Sequence, residues 1–293
     1  IDFIGAIAYA VEPVERGFKT VMQDVLHLSR LFNTFTVLGM GRRAHQIAYC
    51  YAQHRRAFGQ EIFHYPLVQQ HLVRVRVENT ALLAAILATT ALQDHLDTAV
   101  SEEAGSVLLL RVLANLNKTV SALWSVDHIH HSIDILAGNG AIESFSSLPR
   151  LLRDSIVCEN WEGTHNTLYM QILRDIGKYQ IDSLFLSHLN DLILSLDDGA
   201  ETIFLFQALA SLERALTDLK KVDFDQQTLL IKVLSVRMHC LYASVHLLKE
   251  AHHQRLTLQS ENKLLQWKYF NALHLDYTGA NSNDLELMRA ILS

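Results

Sequence analysis

Four groups of residues in this sequence could do chemistry. Glu162 follows an indole, Trp161, and precedes Gly163 and Thr164. In a dry pocket such a carboxylate has its charged form disfavoured and its pKa raised, which suits proton abstraction. Arg55, in the run Tyr51-Ala-Gln-His-Arg-Arg-Ala-Phe-Gly59, could pair with an anion, and Leu136-Ala-Gly-Asn-Gly140 could let backbone approach a ligand closely. Asp127 has His130 and His131 one helical turn on and His128 beside it, a spacing at which a divalent cation is conceivable. Each group also has a plainer reading. Taken alone, Glu162 is a solvated acid at a helix start and Arg55 is half of a surface ion pair. Gly138-x-Gly140 alone is a helix stop, and a histidine-rich helical face without a second ligand pair is solvated or satisfied in the core, so no metal is expected.

The elements that must position these residues are helices. Only three prolines (Pro13, Pro66, Pro149) and 12 glycines interrupt 293 residues, too few for a sandwich or barrel with a turn every ten residues or so. Residues 3 to 11 are a short apolar and aromatic run ending at Glu12-Pro13 and read as the last strand of a preceding domain. From Gly17 to His54 the pattern is helical, a length of roughly 55 Å at about 1.5 Å per residue. Gly39 and Gly41 inside that helix suggest a close helix approach. Pro66 suits the first turn of a second helix. Ser101-Glu-Glu caps a third that stops at Gly138, and Pro149 precedes a shorter helical stretch. A helix from about Asn160 to Ile176, closed by Gly177, completes an antiparallel bundle. Beyond it, Leu205, Leu209, Leu212, Leu216 and Leu219, then Val233, Val236, Cys240, Ala243 and Leu247, each form one apolar seam. A second helical bundle is therefore expected.

Composition excludes some functions. Hydrophobic residues make up 49% and the net charge is −6, and both halves are acidic, which argues against a general polyanion binder. The apolar runs fall short of the roughly 20 residues of a bilayer span, so no membrane partner is expected. Cys50, Cys158 and Cys240 fit no disulfide or zinc spacing. A reducing compartment follows, leaving the cytoplasm and the mitochondrial matrix open. The chain starts at Ile1 without a signal-type segment and reads as a fragment or processed product with residues missing upstream.

Taken jointly and in order, the Tyr51–Gly59 run, Leu136–Gly140, Leu148-Pro-Arg-Leu-Leu-Arg-Asp154 and Trp161-Glu-Gly-Thr164 resemble the C-terminal half of the acyl-CoA dehydrogenase flavoproteins. The likeness covers roughly 60% of the chain. Trp161-Glu-Gly-Thr-His-Asn-Thr-Leu and the helical region after 180 resemble the DNA-alkylation-response branch most. Ala137 departs from the family's pattern, which has glycine there. The resemblance implies an all-α fold: residues 1–16 ending a missing middle β-domain, a C-terminal four-helix bundle over 17–179, and an additional helical extension over 180–293.

The resemblance also implies chemistry: FAD as cofactor, an acyl-CoA thioester as substrate, and α,β-dehydrogenation with Glu162 as base. In another branch the base stands on the first long helix before a matched arginine, but here Ser29 precedes Arg30, which leaves Glu162 as the only matched carboxylate. The implied cofactor contacts are Arg55 and Phe58, reaching the FAD of a neighbouring subunit, with Gln69, Asp134, Gly138, Gly140, Thr164 and Asn166. Arg30, Trp161 and Gly163 would wall the substrate pocket. An electron-transfer flavoprotein as electron acceptor and a homodimer or homotetramer follow from the same likeness. The rival reading is a non-catalytic helical oligomerisation module with a nucleic-acid role, for which Arg42-Arg43, Arg55-Arg56 and Arg74-Val75-Arg76 are the local basic concentrations.

Overall fold

Long segments without proline, with apolar residues recurring every three or four positions, have one efficient way to bury them, which is to pack as helices. The computed structural model describes residues 2–10, 13–99 and 104–293. Among these, the helices are α1 (Val14–Thr20), α2 (Leu26–His54), α3 (Pro66–Thr98), α4 (Ala104–Leu136), α5 (Leu148–Asn160), α6 (His165–Tyr179), α7 (Ile181–Leu194), α8 (Ala200–Leu219), α9 (Phe224–Leu258), α10 (Asn262–His274) and α11 (Leu285–Leu292). A π-helical turn, Val21–Val25, runs directly into α2. Between α2 and α3 lies a minimal antiparallel hairpin, β1 (Arg56–Ala57) and β2 (Gln60–Glu61). Pro66 occupies the start of α3, where a missing N–H leaves no helical bond unmade.

The axis of the molecule is α4, buried without a break from Val112 to Ala122 and packed against α2, α3, α5, α6, α7 and α9. Its all-round burial explains the sequence Leu113–Ala122, in which Lys118 is the one charge. The middle of α9, from Met238 to Val245, is likewise buried on every side, between α3, α4 and α6 on one flank and α8 and α10 on the other. One apolar cluster consequently extends from Leu31 to Leu292, so the helices after residue 180 share a core with the first bundle. A buried polar joint ties them further: Glu78 of α3 meets His128 of α4 at 2.6 Å, His274 of α10 at 3.0 Å and Arg74 at 3.1 Å.

Several expectations need correction. Residues 2–10 form no strand, and Phe3, Ile4, Ile7 and Tyr9 are exposed, because a solitary extended run has no neighbour to complete its hydrogen bonds. Only one of the two helix glycines marks a close approach: a Cβ on Gly41 would come within 3.1 Å of Asn79 and 3.3 Å of His128, while one on Gly39 would meet nothing. The helix placed at Asn160–Ile176 begins later, at His165, because a turn follows the end of α5 at Asn160, and α6 passes through Gly177 to stop at left-handed Gln180. The leucines of α8 are all buried, but Val233 of the next seam is exposed. Two helices, α3 and α9, are long and apolar enough to cross a membrane, which single apolar runs did not reveal; both are core helices carrying buried Glu78 and His239. The expected cap at Ser101 lies outside the described residues.

Candidate functional site

The chain reverses sharply between α5 and α6. Glu162 (φ 60°) and Gly163 (φ 104°) both adopt left-handed backbone, a conformation that costs a non-glycine residue roughly 1–2 kcal/mol. Three side chains from the bundle interior hold this turn in place. The Arg30 guanidinium donates through Nε to the carbonyl of Glu162 at 3.0 Å, and through Nη1 to Asn115 at 2.7 Å and Gln171 at 3.1 Å. The Lys118 ammonium donates to the carbonyls of Glu159 at 2.9 Å and Gly163 at 2.7 Å. Asn33 donates to the carbonyl of Cys158 at 3.0 Å. The last carbonyls of α5, which have no helical donor, are thereby satisfied from α2 and α4.

The electrostatics of the turn follow from burial. Lys118 is fully buried, and burial, with the Arg30 charge adding to it, pulls its pKa down to about 8 against the opposing pull of Cys158, Glu159 and Glu162. Burial likewise lowers Arg30 and raises the Cys158 thiol. The Glu162 side chain is half-buried, and its Oε2 is enclosed without a hydrogen-bond partner. Trp161 beside it is half exposed, and Thr164 and Asn166 are exposed at the start of α6, the Thr164 hydroxyl within 3.1 Å of Thr167. A carboxylate with a free, shielded oxygen can accept a proton from a group placed against it.

The remaining candidates gather elsewhere. Arg55 ends α2, and Phe58, at φ 51°, projects from the hairpin tip almost wholly exposed. Asn139 donates to the Tyr51 hydroxyl at 3.3 Å, and Phe145 packs edge-on against Tyr51, so the Asp134–Gly140 segment stands at this same end. Asp134 and Gly138 are exposed. A Cβ on Gly140 would meet the Ile133 carbonyl at 2.4 Å, so its lack of a side chain is required by the chain's own turn. Ala137, at the position where the family has glycine, takes φ 52°. Gln69 is buried with an unpartnered Oε1 and lines a cavity of about 300 Å³ with Tyr49, Gln53, Phe63 and Arg289. From Arg30 to Arg55 the helix spans about 37 Å at about 1.5 Å per residue. A single chain therefore keeps the Glu162 turn and the Arg55–Phe58 tip apart.

The other groups resolve into structure. His128 turns inward to Glu78, and His131 packs against His71. Arg74 pairs with Glu78 and Arg56 with Glu61, so one arginine of each of these two basic concentrations is engaged, although Arg55 and Arg56 stay exposed. All three cysteines are free. Sequence reasoning missed Lys118, Asn115 and Gln171; the one available signal was a run of polar residues, Asn115, Asn117 and Lys118, inside an otherwise apolar helix.

The family model of the acyl-CoA dehydrogenase C-terminal domain matches residues 15–177. "Acyl-CoA dehydrogenase family member 11" of Caenorhabditis elegans is 28% identical over 170 residues, 58% of this chain and 27% of that protein. "Putative acyl-CoA dehydrogenase AidB" of Escherichia coli (strain K12), from the alkylation-response branch, is 27% identical over 178 residues, 61% of this chain and 32% of that protein. Two solved structures share the fold. Caenorhabditis elegans ACDH-11 in complex with C11-CoA has a TM-score of 0.71 at 23% identity, covering 89% of this chain and 44% of that one. An acyl-CoA dehydrogenase complexed with FAD from Bacillus anthracis has a TM-score of 0.74 at 18% identity, covering 94% and 49%. The chain thus spans about a third or less of the curated relatives it matches. With its bundle, its turn motifs and the family match over more than half its length in agreement, the chain belongs to the acyl-CoA dehydrogenase family, as the C-terminal domain of that fold.

Proposed function

We propose that this chain supplies the base and one wall of the active site of an FAD-dependent acyl-CoA dehydrogenase, with Glu162 removing the proton α to the thioester carbonyl. The observation that carries the reading is the Glu162 carboxylate itself. One of its oxygens is enclosed and unpartnered, while the two cations beside it bind backbone carbonyls instead. The lone pairs of that oxygen are therefore taken by no protein group, as a base receiving a substrate proton requires. Relatives with FAD and with an acyl-CoA bound support the cofactor and substrate class.

The fit to FAD is good at both ends of α2, with one exception. Arg55 and Phe58 are exposed together, a cation and a ring suited to a phosphate-bearing aromatic ligand. Thr164 and Asn166 present hydroxyl and amide groups beside Glu162. Gly140 is the exception, since Ile133 already occupies its open side. Because Arg55 and Glu162 stand apart in one chain, a flavin touching both draws them from different subunits of a homodimer or homotetramer. Bound FAD would supply the acceptor for the β-hydride, with an electron-transfer flavoprotein as the onward electron acceptor. Trp161, Gly163 and the Arg30-held turn close the wall against water, which favours proton transfer to the carboxylate.

The 293 residues alone lack the β-domain that encloses the flavin in the resemblance, so they bind FAD weakly or not at all; stoichiometric flavin carried through gel filtration would refute this. The dehydrogenase reading is tested on the full-length protein carrying this chain, by the bleaching of its flavin with acyl-CoAs of increasing length. Bleaching with at least one chain length, lost in Glu162→Gln at equal flavin content, is the expected result. A flavin that no acyl-CoA bleaches would remove the dehydrogenase reading.

A further inference from the structure

Lys118 is a buried cation with no carboxylate in contact. Its Nζ atom bridges two carbonyls on either side of the reversal, Glu159 at the end of α5 and Gly163 before α6, and among the described residues it makes no ion pair within 4.0 Å. A buried charge without an anionic partner is expensive, and holding two carbonyls does not require one, because a neutral donor would serve. The charge has a target in the region: Glu162 lies between those carbonyls in sequence, and its field acts on both Lys118 and Arg30. Arg30 reaches the middle carbonyl, that of Glu162 itself. Three carbonyls within five residues are thus tied to two cations rooted in the rigid helices α2 and α4, and the left-handed Glu162 is held between them.

Resting on the dehydrogenase reading, we infer that Lys118 is a positioning residue for Glu162: its ammonium clamps the turn from both sides and offsets the carboxylate charge, so that the free oxygen stays aimed at the substrate. Arg30 shares the load but has other commitments, to Asn115 and Gln171, whereas Lys118 binds nothing beyond the turn. The ionisable groups facing Lys118 are Arg30 from α2, Cys158 and Glu159 from α5, Glu162 from the turn and His165 from α6. Of these, Glu159 is also paired with His165 at 3.2 Å, which fixes the end of α5 without engaging Glu162.

The test uses the full-length flavoprotein carrying this chain, comparing wild type, Lys118→Met, Lys118→Gln and Glu162→Gln in rapid mixing with an acyl-CoA that bleaches the wild-type flavin. Lys118→Met is expected to slow bleaching about a hundredfold at unchanged flavin content, the loss that a misplacement of about 1 Å produces. The wild-type rate falls above pH about 8, where Lys118 loses its charge, and this alkaline limb is absent from Lys118→Met. Lys118→Gln, which keeps N–H donors without the charge, also slows bleaching, and it reports should the methionine variant not fold. Hydrogen exchange of the amides of 161–164 accelerates at least tenfold in Lys118→Met, which has no donor for the two carbonyls, while exchange in the middle of α9 is unchanged. Wild-type rates and pH dependence in both lysine variants, with Glu162→Gln inactive, would overturn the inference and leave the base assignment standing. Slow bleaching with unaltered exchange at 161–164 in Lys118→Met would overturn it too, because the turn would then not be what Lys118 holds. Bleaching that survives Glu162→Gln would remove the base assignment and the inference together.

Discussion

Two glutamates, Glu78 buried and Glu162 half-buried, sit in opposite circumstances. Glu78 is fully buried with both oxygens engaged, by His128, His274 and Arg74, and those partners hold its carboxyl far below the usual carboxylate range in spite of burial. Glu162 has an enclosed oxygen with no partner, although two cations stand close enough to affect it electrostatically. The same side chain is a joint in one place and a poised group in the other. What separates them is where the neighbouring donors direct their N–H groups: to the carboxylate itself in the first case, to the backbone that carries it in the second. A carboxylate whose lone pairs are all taken can hold helices together, while one with a spare lone pair can take a proton.

The contrast can be broken most forcefully at the joint. Glu78→Ala is expected to destabilise the chain by about 3–5 kcal/mol, the usual loss when one partner of a buried ionic cluster is removed; urea unfolding followed by circular dichroism measures it. An effect below about 1 kcal/mol would mean that α10 docks on α3 through apolar contacts alone.

A second lever is pH. His239 is fully buried with neither ring nitrogen hydrogen-bonded, and burial pushes its pKa down to about 3. The folded protein keeps this ring neutral, while the unfolded chain takes up a proton below the ordinary value of 6.5. Its contribution is therefore complete above pH 6.5 and is lost as pH falls towards 3. The Glu78 carboxylate, depressed in the folded state, adds loss of the same sign below its ordinary value of 4.5. His239→Leu is expected to flatten the slope of unfolding free energy between pH 6.5 and 4.5 by up to one proton, leaving the Glu78 component at lower pH. Unchanged slopes in that variant would show that the His239 ring is protonated in the fold.

The smallest effect is expected at Ala137. Its φ of 52° is unfavourable for a residue with a Cβ, so Ala137→Gly is expected to stabilise the chain by about 0.5–1 kcal/mol, relief of left-handed strain exceeding the added chain entropy. A shift in the urea midpoint to lower concentration would contradict this.

The sequence carried the helices well, for identifiable reasons. Proline spacing, the opening of α3 at Pro66 and the leucine seam of α8 are local signals, and the structure follows each of them. The turn motifs were also readable, because Gly59, Gly163 and the residues around them must adopt unusual backbone whatever they pack against. Interactions that join distant residues were not readable. Glu78 finds its partners 50 and 196 positions away, and Arg30 meets Glu162 across 132. Nothing local in Lys118 separates a surface lysine from a buried clamp; only the all-round burial of α4 does. Nor did the sequence tell why residue 140 is glycine: a Cβ there would meet the carbonyl of Ile133 in its own turn.

The most direct test of the contrast between the two glutamates sets them side by side in the proposed flavoprotein that would carry this chain. Flavin bleaching by one productive acyl-CoA is followed by rapid mixing in wild type, Glu162→Gln and Glu78→Gln, at a temperature where all three are folded and carry equal flavin. Glu162→Gln is expected to slow bleaching about a thousandfold, within the range that a general base contributes, while Glu78→Gln stays within a few-fold of wild type and differs only in its unfolding midpoint. Bleaching at the wild-type rate in Glu162→Gln would contradict the account, and show that the free carboxylate of the turn is not the base.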